Sequence, residues 1–140
     1  PNAEKLHEVV SDRADLTRRL DHFLTESESI IPEASKALAC GDLERFGRMA
    51  DESQRAAEDL LGNQVPQTSA LARIARELGA TGATSFGAGF GGSVWALVRN
   101  AEAPEFASTW LGKYRDEYSE EAGQAVTVVT RPGPSARRLD

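Results

Sequence analysis

A single cysteine, Cys40, leaves no possibility of an internal disulfide, and it reads instead as a small apolar side chain buried in the fold. Histidine is nearly as scarce. His7 and His22 stand apart with no metal-ligand spacing, which argues against a metal site. No apolar run approaches the roughly 20 residues that span a bilayer, and no signal-peptide pattern is visible. A cytoplasmic location and no membrane partner are therefore expected. Positive charge is in deficit: 16 Lys and Arg stand against 22 Asp and Glu, a net charge of −6. That excludes the broad basic face needed by a nucleic-acid or anionic-membrane binder. A small phosphate site remains open, because it needs only local donors.

What is present suits one folded domain. The 140 residues are 40% apolar and 27% charged, near ordinary globular usage, and a domain of this size buries about two-thirds of its unfolded surface. The chain starts at Pro1 with no initiator Met, the mark expected of a fragment or a processed chain.

The first half reads as helix. Leu16, Leu20, Phe23, Leu24, Ile30, Ile31, Ala34 and Leu38 recur at helical spacing and are expected on one buried stripe. Pro32 predicts a kink or break near Ile31, because it removes a hydrogen bond and crowds the preceding turn. Gly41 and Asp42 read as a stop and a restart. The second helix carries Leu43, Phe46, Ala50, Ser53, Ala57 and Leu60, and ends at Gly62-Asn63. A third follows Pro66, capped by Thr68 or Ser69, with Leu71, Ile74, Ala75 and Leu78 inward and Gly79 closing it.

The composition then changes. Six of the twelve glycines lie within residues 79–92, followed by the apolar run Val94-Trp95-Ala96-Leu97-Val98. That run reads as a buried strand with Thr84-Ser85-Phe86 as partner. Phe106, Trp110, Tyr114 and Tyr118 recur every fourth residue, expected on a helix face packed on the sheet. Residues 125–130 read as a last strand, and 132–140 as a turn and flexible tail. This order implies an α+β domain with helices on one face of a small antiparallel sheet.

The chemistry-bearing stretch is Gly87-Ala88-Gly89-Phe90-Gly91-Gly92. Gly87, Gly89 and Gly92 formally match the dinucleotide fingerprint, but a strand comes next where a helix is required. A phosphate loop of the Walker type needs Lys where Ser93 stands. Two readings remain: a strand–loop–strand hairpin whose backbone N–H groups line a phosphate site, or a permissive turn without a ligand.

The segment from Gly82 to Val98, with its core Gly87 to Gly92, resembles the third motif of galactokinases, in which G-A-R-M-T-G-x-G-F-G-G-C precedes an apolar strand. Arg19, His22 and Glu26 fit that family's R-x-x-H-V-x-x-E helix, with Phe23 at the Val position. Gly41-Asp42-Leu43, Phe46-Gly47-Arg48-Met49 and Glu52-Ser53 fit its G-D-L…F-G-R-L-M…E-S-H segment, with Gln54 at the final His. The three matches occur in the family's order and cover residues 15–98.

The resemblance implies the C-terminal domain of a GHMP superfamily kinase, ferredoxin-like, over residues 1–131, with the N-terminal kinase half absent from this chain. It implies ATP and Mg as cofactors, a sugar substrate, and the protein's own N-terminal kinase domain as partner. Gly87, Ala88, Gly89, Phe90, Gly91 and Gly92 would form one wall of the phosphate site, with the catalytic residues elsewhere. The alternative is a catalytically inactive sugar- or nucleotide-sensing or interaction module. Arg19, His22 and Glu26 share a helix face and read first as a structural hydrogen-bond cluster, with a catalytic His as the second reading. The family's third-motif Arg and Thr are Thr84 and Phe86 here, and its C-P-E-L-D segment is Val65-Pro66-Gln67-Thr68-Ser69, without either acid. These departures bear on whether galactose is the acceptor.

Overall fold

Residues 2–133 are described by a computed structural model. The expected tail falls largely on residues 134–140, outside the described residues. The described residues divide into two units after Val98.

In the first unit the helices are α1 (Ala3–Val10), α2 (Ala14–Leu24), α3 (Ile31–Cys40), α4 (Leu43–Ala56) and α5 (Pro66–Glu77). Their ends obey local chemistry. Asn2 Oδ1 accepts from the Glu4 N–H at 3.0 Å and starts α1. Gly41 stops α3 in the left-handed region (φ 71°), and Asp42 Oδ1 accepts from the Arg45 N–H at 2.9 Å to start α4. Helix α5 begins at Pro66, earlier than expected. Thr68 stands in its first turn, where the hydroxyl reaches back to accept from the Val65 N–H at 3.2 Å.

Two π-helical segments, Thr25–Ile30 and Ala57–Leu61, extend α2 and α4. At the first, the Ile31 N–H bonds to the Glu26 carbonyl five residues back. Pro32 comes immediately after, so the irregularity expected near Ile31 takes the form of a wider turn with helical backbone on both sides. The wider turn also rotates α3 relative to α2. The expected stripe is only partly buried: Ile30 is buried, Leu20, Leu24 and Ala34 are half-buried, and Leu16, Phe23, Ile31 and Leu38 are exposed, while Ala37, outside the stripe, is buried. Cys40, expected inside, is exposed on the last residue of α3.

Strands β1 (Gly82–Phe86) and β2 (Ser93–Leu97) form an antiparallel hairpin, pairing Gly82 with Leu97 and Phe86 with Ser93. Helices α4 and α5 pack on it, giving the expected α+β arrangement. β2 is half-buried rather than fully buried. The core is built largely of small residues: Ala50, Ala70, Ala72, Ala75, Ala80 and Ala83 are buried beside Ile74. Small side chains let the layers approach closely. At Gly47 of α4, an added Cβ would collide with the Thr81 carbonyl oxygen just ahead of β1. Phe46 stacks on Trp95 of β2 with ring centroids 6.2 Å apart.

The second unit holds α6 (Ala103–Glu117). Its aromatic residues pair along the helix, Phe106 with Trp110 at 5.7 Å and Tyr114 with Tyr118 at 5.4 Å. The strand expected at residues 125–130 does not form. Val126, Val128 and Val129 are 80%, 81% and 53% exposed, and a β-rich run that pairs with no strand among the described residues gains no ladder. Among the described residues, no helix is long and apolar enough to cross a membrane.

Candidate functional site: a clamped glycine loop

The hairpin connection is the loop of residues 87–92. Gly87, Gly89, Gly91 and Gly92 all have positive φ, and so does Phe90 at 60°, the one non-glycine residue in that region among those described. The loop lies largely at the surface, with Phe86 57% and Phe90 73% exposed.

One residue holds it from below. Asn63 lies between α4 with its π extension and α5, and is 8% exposed. Its carbonyl oxygen accepts from the Phe90 N–H at 2.5 Å, and its Nδ2 donates to the Ala88 carbonyl at 3.3 Å. Gly89 lies between these two contacts. A Cβ added there would meet the Asn63 carbonyl oxygen and Nδ2, and would come within 2.6 Å of Cγ. Only glycine fits. The N–H groups of Gly89 and Gly91 have no acceptor among the described residues, so both can donate to a ligand. A loop of this kind can present backbone donors to a phosphate oxygen.

The other sequence-predicted residues lie apart from the loop. Glu26 accepts from Ser53 Oγ at 2.5 Å, with His22 Nε2 3.9 Å from Glu26, which ties the first π segment to α4. Arg19 is exposed and does not join them. The departures from the galactokinase pattern divide. Gln54 and Ser69 line a cleft of about 330 Å3 between α4 and α5, with Asp51, Glu58, Arg73 and Arg76, and Thr84 bonds to Gln54 behind it. Phe86 stands beside the loop, at the end of β1, and Ser93, at the pattern's final Cys, adjoins it at the start of β2. Arg76 locks the layers: its Nε is 2.8 Å from Asp51 Oδ1, and its Nη1 donates to the Thr81 carbonyl at 2.7 Å and to that of Ala80. Among the described residues, no three His, Cys, Asp or Glu side chains cluster to hold a metal ion.

Sequence reasoning missed Asn63 as a functional neighbour. It reads as part of a helix stop, and nothing local marks its contact with residues 25 positions later.

The family described as GHMP kinases C terminal matches residues 33–116. This chain belongs to that family. The GHMP C-terminal domain is also 35% identical over 113 residues to a galactokinase of Clostridium perfringens, covering 80% of this chain and 29% of that protein. It is 31% identical to galactokinases of Lactobacillus helveticus and Lacticaseibacillus paracasei, covering 77% and 89% of this chain. It spans 28% and 31% of those two proteins, so about three-tenths of the length of each relative is matched.

Proposed function

We propose that this chain is the C-terminal domain of an ATP-dependent sugar kinase, and that the loop of residues 87–92 lines the phosphate side of its active site. The observation that carries the reading is the pair of N–H groups of Gly89 and Gly91, both without an acceptor among the described residues, on a backbone that only glycine at position 89 allows. Phosphoryl transfer depends mainly on positioning and on stabilising charge at the transferred group. Backbone donors fixed before the substrate arrives supply that stabilisation without reorganisation. The family membership and the galactokinase relatives support ATP as donor and a sugar as acceptor.

In this reading the general base, most of the nucleotide pocket and the magnesium ligands belong to the whole kinase's other domain, and the protein works in the cytoplasm. Galactose is the first acceptor to try. Gln54, Ser69 and Thr84 lie on the α4–α5 side, away from the loop, so their departures from the galactokinase pattern weigh little against it. Phe86, beside the loop, leaves arabinose and uronic acids as further candidates.

The test is sugar phosphorylation by the full-length protein, assayed with galactose, arabinose and a uronic acid. Turnover with one of them, abolished by Gly89→Asp, is the expected result. Undiminished turnover in Gly89→Asp would remove the loop from the site. Binding of sugar and ATP without turnover would favour a sensing module.

A further inference from the structure

We infer that Asn63 is the positioning residue of the glycine loop, fixing residues 88–90 so that the Gly89 and Gly91 N–H groups, without an acceptor among the described residues, stay available to an anionic ligand. The inference rests on the phosphate-loop reading for its ligand, but the hold itself is a separate matter of geometry.

Asn63 grips the loop at two points, one from its main chain and one from its side chain. The Phe90 N–H donates to its carbonyl oxygen at 2.5 Å, and its carboxamide nitrogen donates to the Ala88 carbonyl at 3.3 Å. The two contacts flank Gly89, whose missing Cβ is what lets Asn63 come so close. They also explain Phe90. A non-glycine residue at positive φ is disfavoured, and here its N–H is tied in that conformation. With the Phe90 N–H turned inward to Asn63, the neighbouring N–H groups remain for the ligand.

The orientation of the carboxamide is set by a chain of hydrogen bonds that starts in α5. Thr68, 2% exposed, donates from Oγ1 to Gln64 Oε1 at 2.9 Å. Gln64 Nε2 donates to Asn63 Oδ1 at 3.0 Å, which leaves Asn63 Nδ2 to face Ala88. A carboxamide fixed at its oxygen by one donor has only its nitrogen to offer the loop. The start of α5 therefore reads out, through two amides, on the conformation of a loop more than twenty residues away in sequence.

The experiment is hydrogen–deuterium exchange on the full-length protein, wild type against Asn63→Ala, Asn63→Asp and Gln64→Ala, with steady-state kinetics beside it. Asn63→Asp keeps the size and the acceptor but removes the donor to Ala88. The exchange of the Phe90 amide is expected to rise about tenfold in both Asn63 variants and by less in Gln64→Ala, with α5 unchanged, as suits loss of one hydrogen bond. In the kinetics, KM for ATP is expected to rise about tenfold while KM for the sugar stays within about twofold, a split that general destabilisation would not produce. Should Asn63→Ala loosen α5 as well, Gln64→Ala decides by the same comparison. Loop exchange unchanged in the variants overturns the inference. A wild-type protein that turns over no sugar removes the kinase reading only, and the exchange result still judges Asn63.

Discussion

The carboxamide oxygen of Gln54 accepts two hydrogen bonds from consecutive residues of β1, from Thr84 Oγ1 at 2.9 Å and from the Ser85 N–H at 2.9 Å. Its nitrogen donates to Glu58 at 2.8 Å. Gln54 and Thr84 are two of the positions at which the sequence departs from the galactokinase pattern, and they depart as bonded partners. Gln54→Leu would leave the buried Thr84 hydroxyl and the Ser85 N–H without this acceptor, at an expected cost of about 2 kcal/mol. Chemical denaturation of Gln54→Leu, Thr84→Val and the double variant checks this. The double variant is expected to lose less than the two single losses combined.

Gly47→Ala tests the close approach of α4 to the start of the hairpin. Alanine is the better helix former, so an exposed site would gain stability. Here the added methyl group meets a backbone carbonyl, that of Thr81, which cannot swing aside as a side chain could. Overpacking is expected to win, with a net loss of about 2 kcal/mol seen as a lower denaturation midpoint at an unchanged slope. A stability equal to wild type would show that α4 and β1 stand further apart.

Arg76 joins α5 to Asp51 of α4 and to the carbonyl groups leading into β1. The pair is only partly buried, with side chains 36% and 29% exposed, so screening reduces its worth. The charge-assisted bonds to backbone carbonyls are the larger part, and Arg76→Ala is expected to destabilise the protein by about 1–3 kcal/mol. Asp51→Asn, which removes the ion pair and spares the carbonyl contacts, is expected to cost less. Thermal melts of both variants in low and high salt separate the two contributions.

His7 predicts a dependence on pH. Its Nε2 lies 2.7 Å from Asp21 Oδ1, and its Nδ1 lies 3.0 Å from the Ala3 carbonyl. Both acceptors favour the doubly protonated ring, and the bond to Asp21 is the main cause of a pKa raised above the ordinary 6.5. A raised folded-state pKa stabilises the protein fully below 6.5, and the contribution is lost as pH rises through the folded value. The hold of α1 on α2 is therefore expected to loosen on the alkaline side of 6.5, read as a fall in the protection of α1 amides relative to their intrinsic exchange at each pH. His7→Ala should flatten that profile.

How much the sequence disclosed depends on how far each signal reaches. Gly41, Asp42, Gly62 and Gly79 mark helix ends by their own backbone preferences, and the ends stand where they predict. The hairpin was legible because glycines separate two runs of strand-forming residues. The exposure of Ile31 and Leu38 was not, because the change from i→i−4 to i→i−5 bonding at residues 25–30 leaves no mark in composition yet turns the helix beyond it. Residues 125–130 are rich in strand-forming residues, but pairing is a property of two segments, and this run pairs with none among the described residues. The glycine loop announced itself, while the residue that grips it did not, since Asn63 and Ala88 are brought together only by the turn between α4 and α5.

The π segment Ala57–Leu61 has a bearing on how this sequence tolerates lengthening and shortening. Ala57-Glu58-Asp59-Leu60-Leu61 is ordinary helix-forming sequence, and deleting one residue from it would leave a sound α-helix. The deletion would also turn the left-handed Gly62, and Asn63 with it, by about a quarter-turn or more around the helix axis. The helix would survive and the grip on Ala88 and Phe90 would not. Single-residue deletions here are thus expected to be selected against more strongly than substitutions at the same positions, a bias visible in a library carrying both.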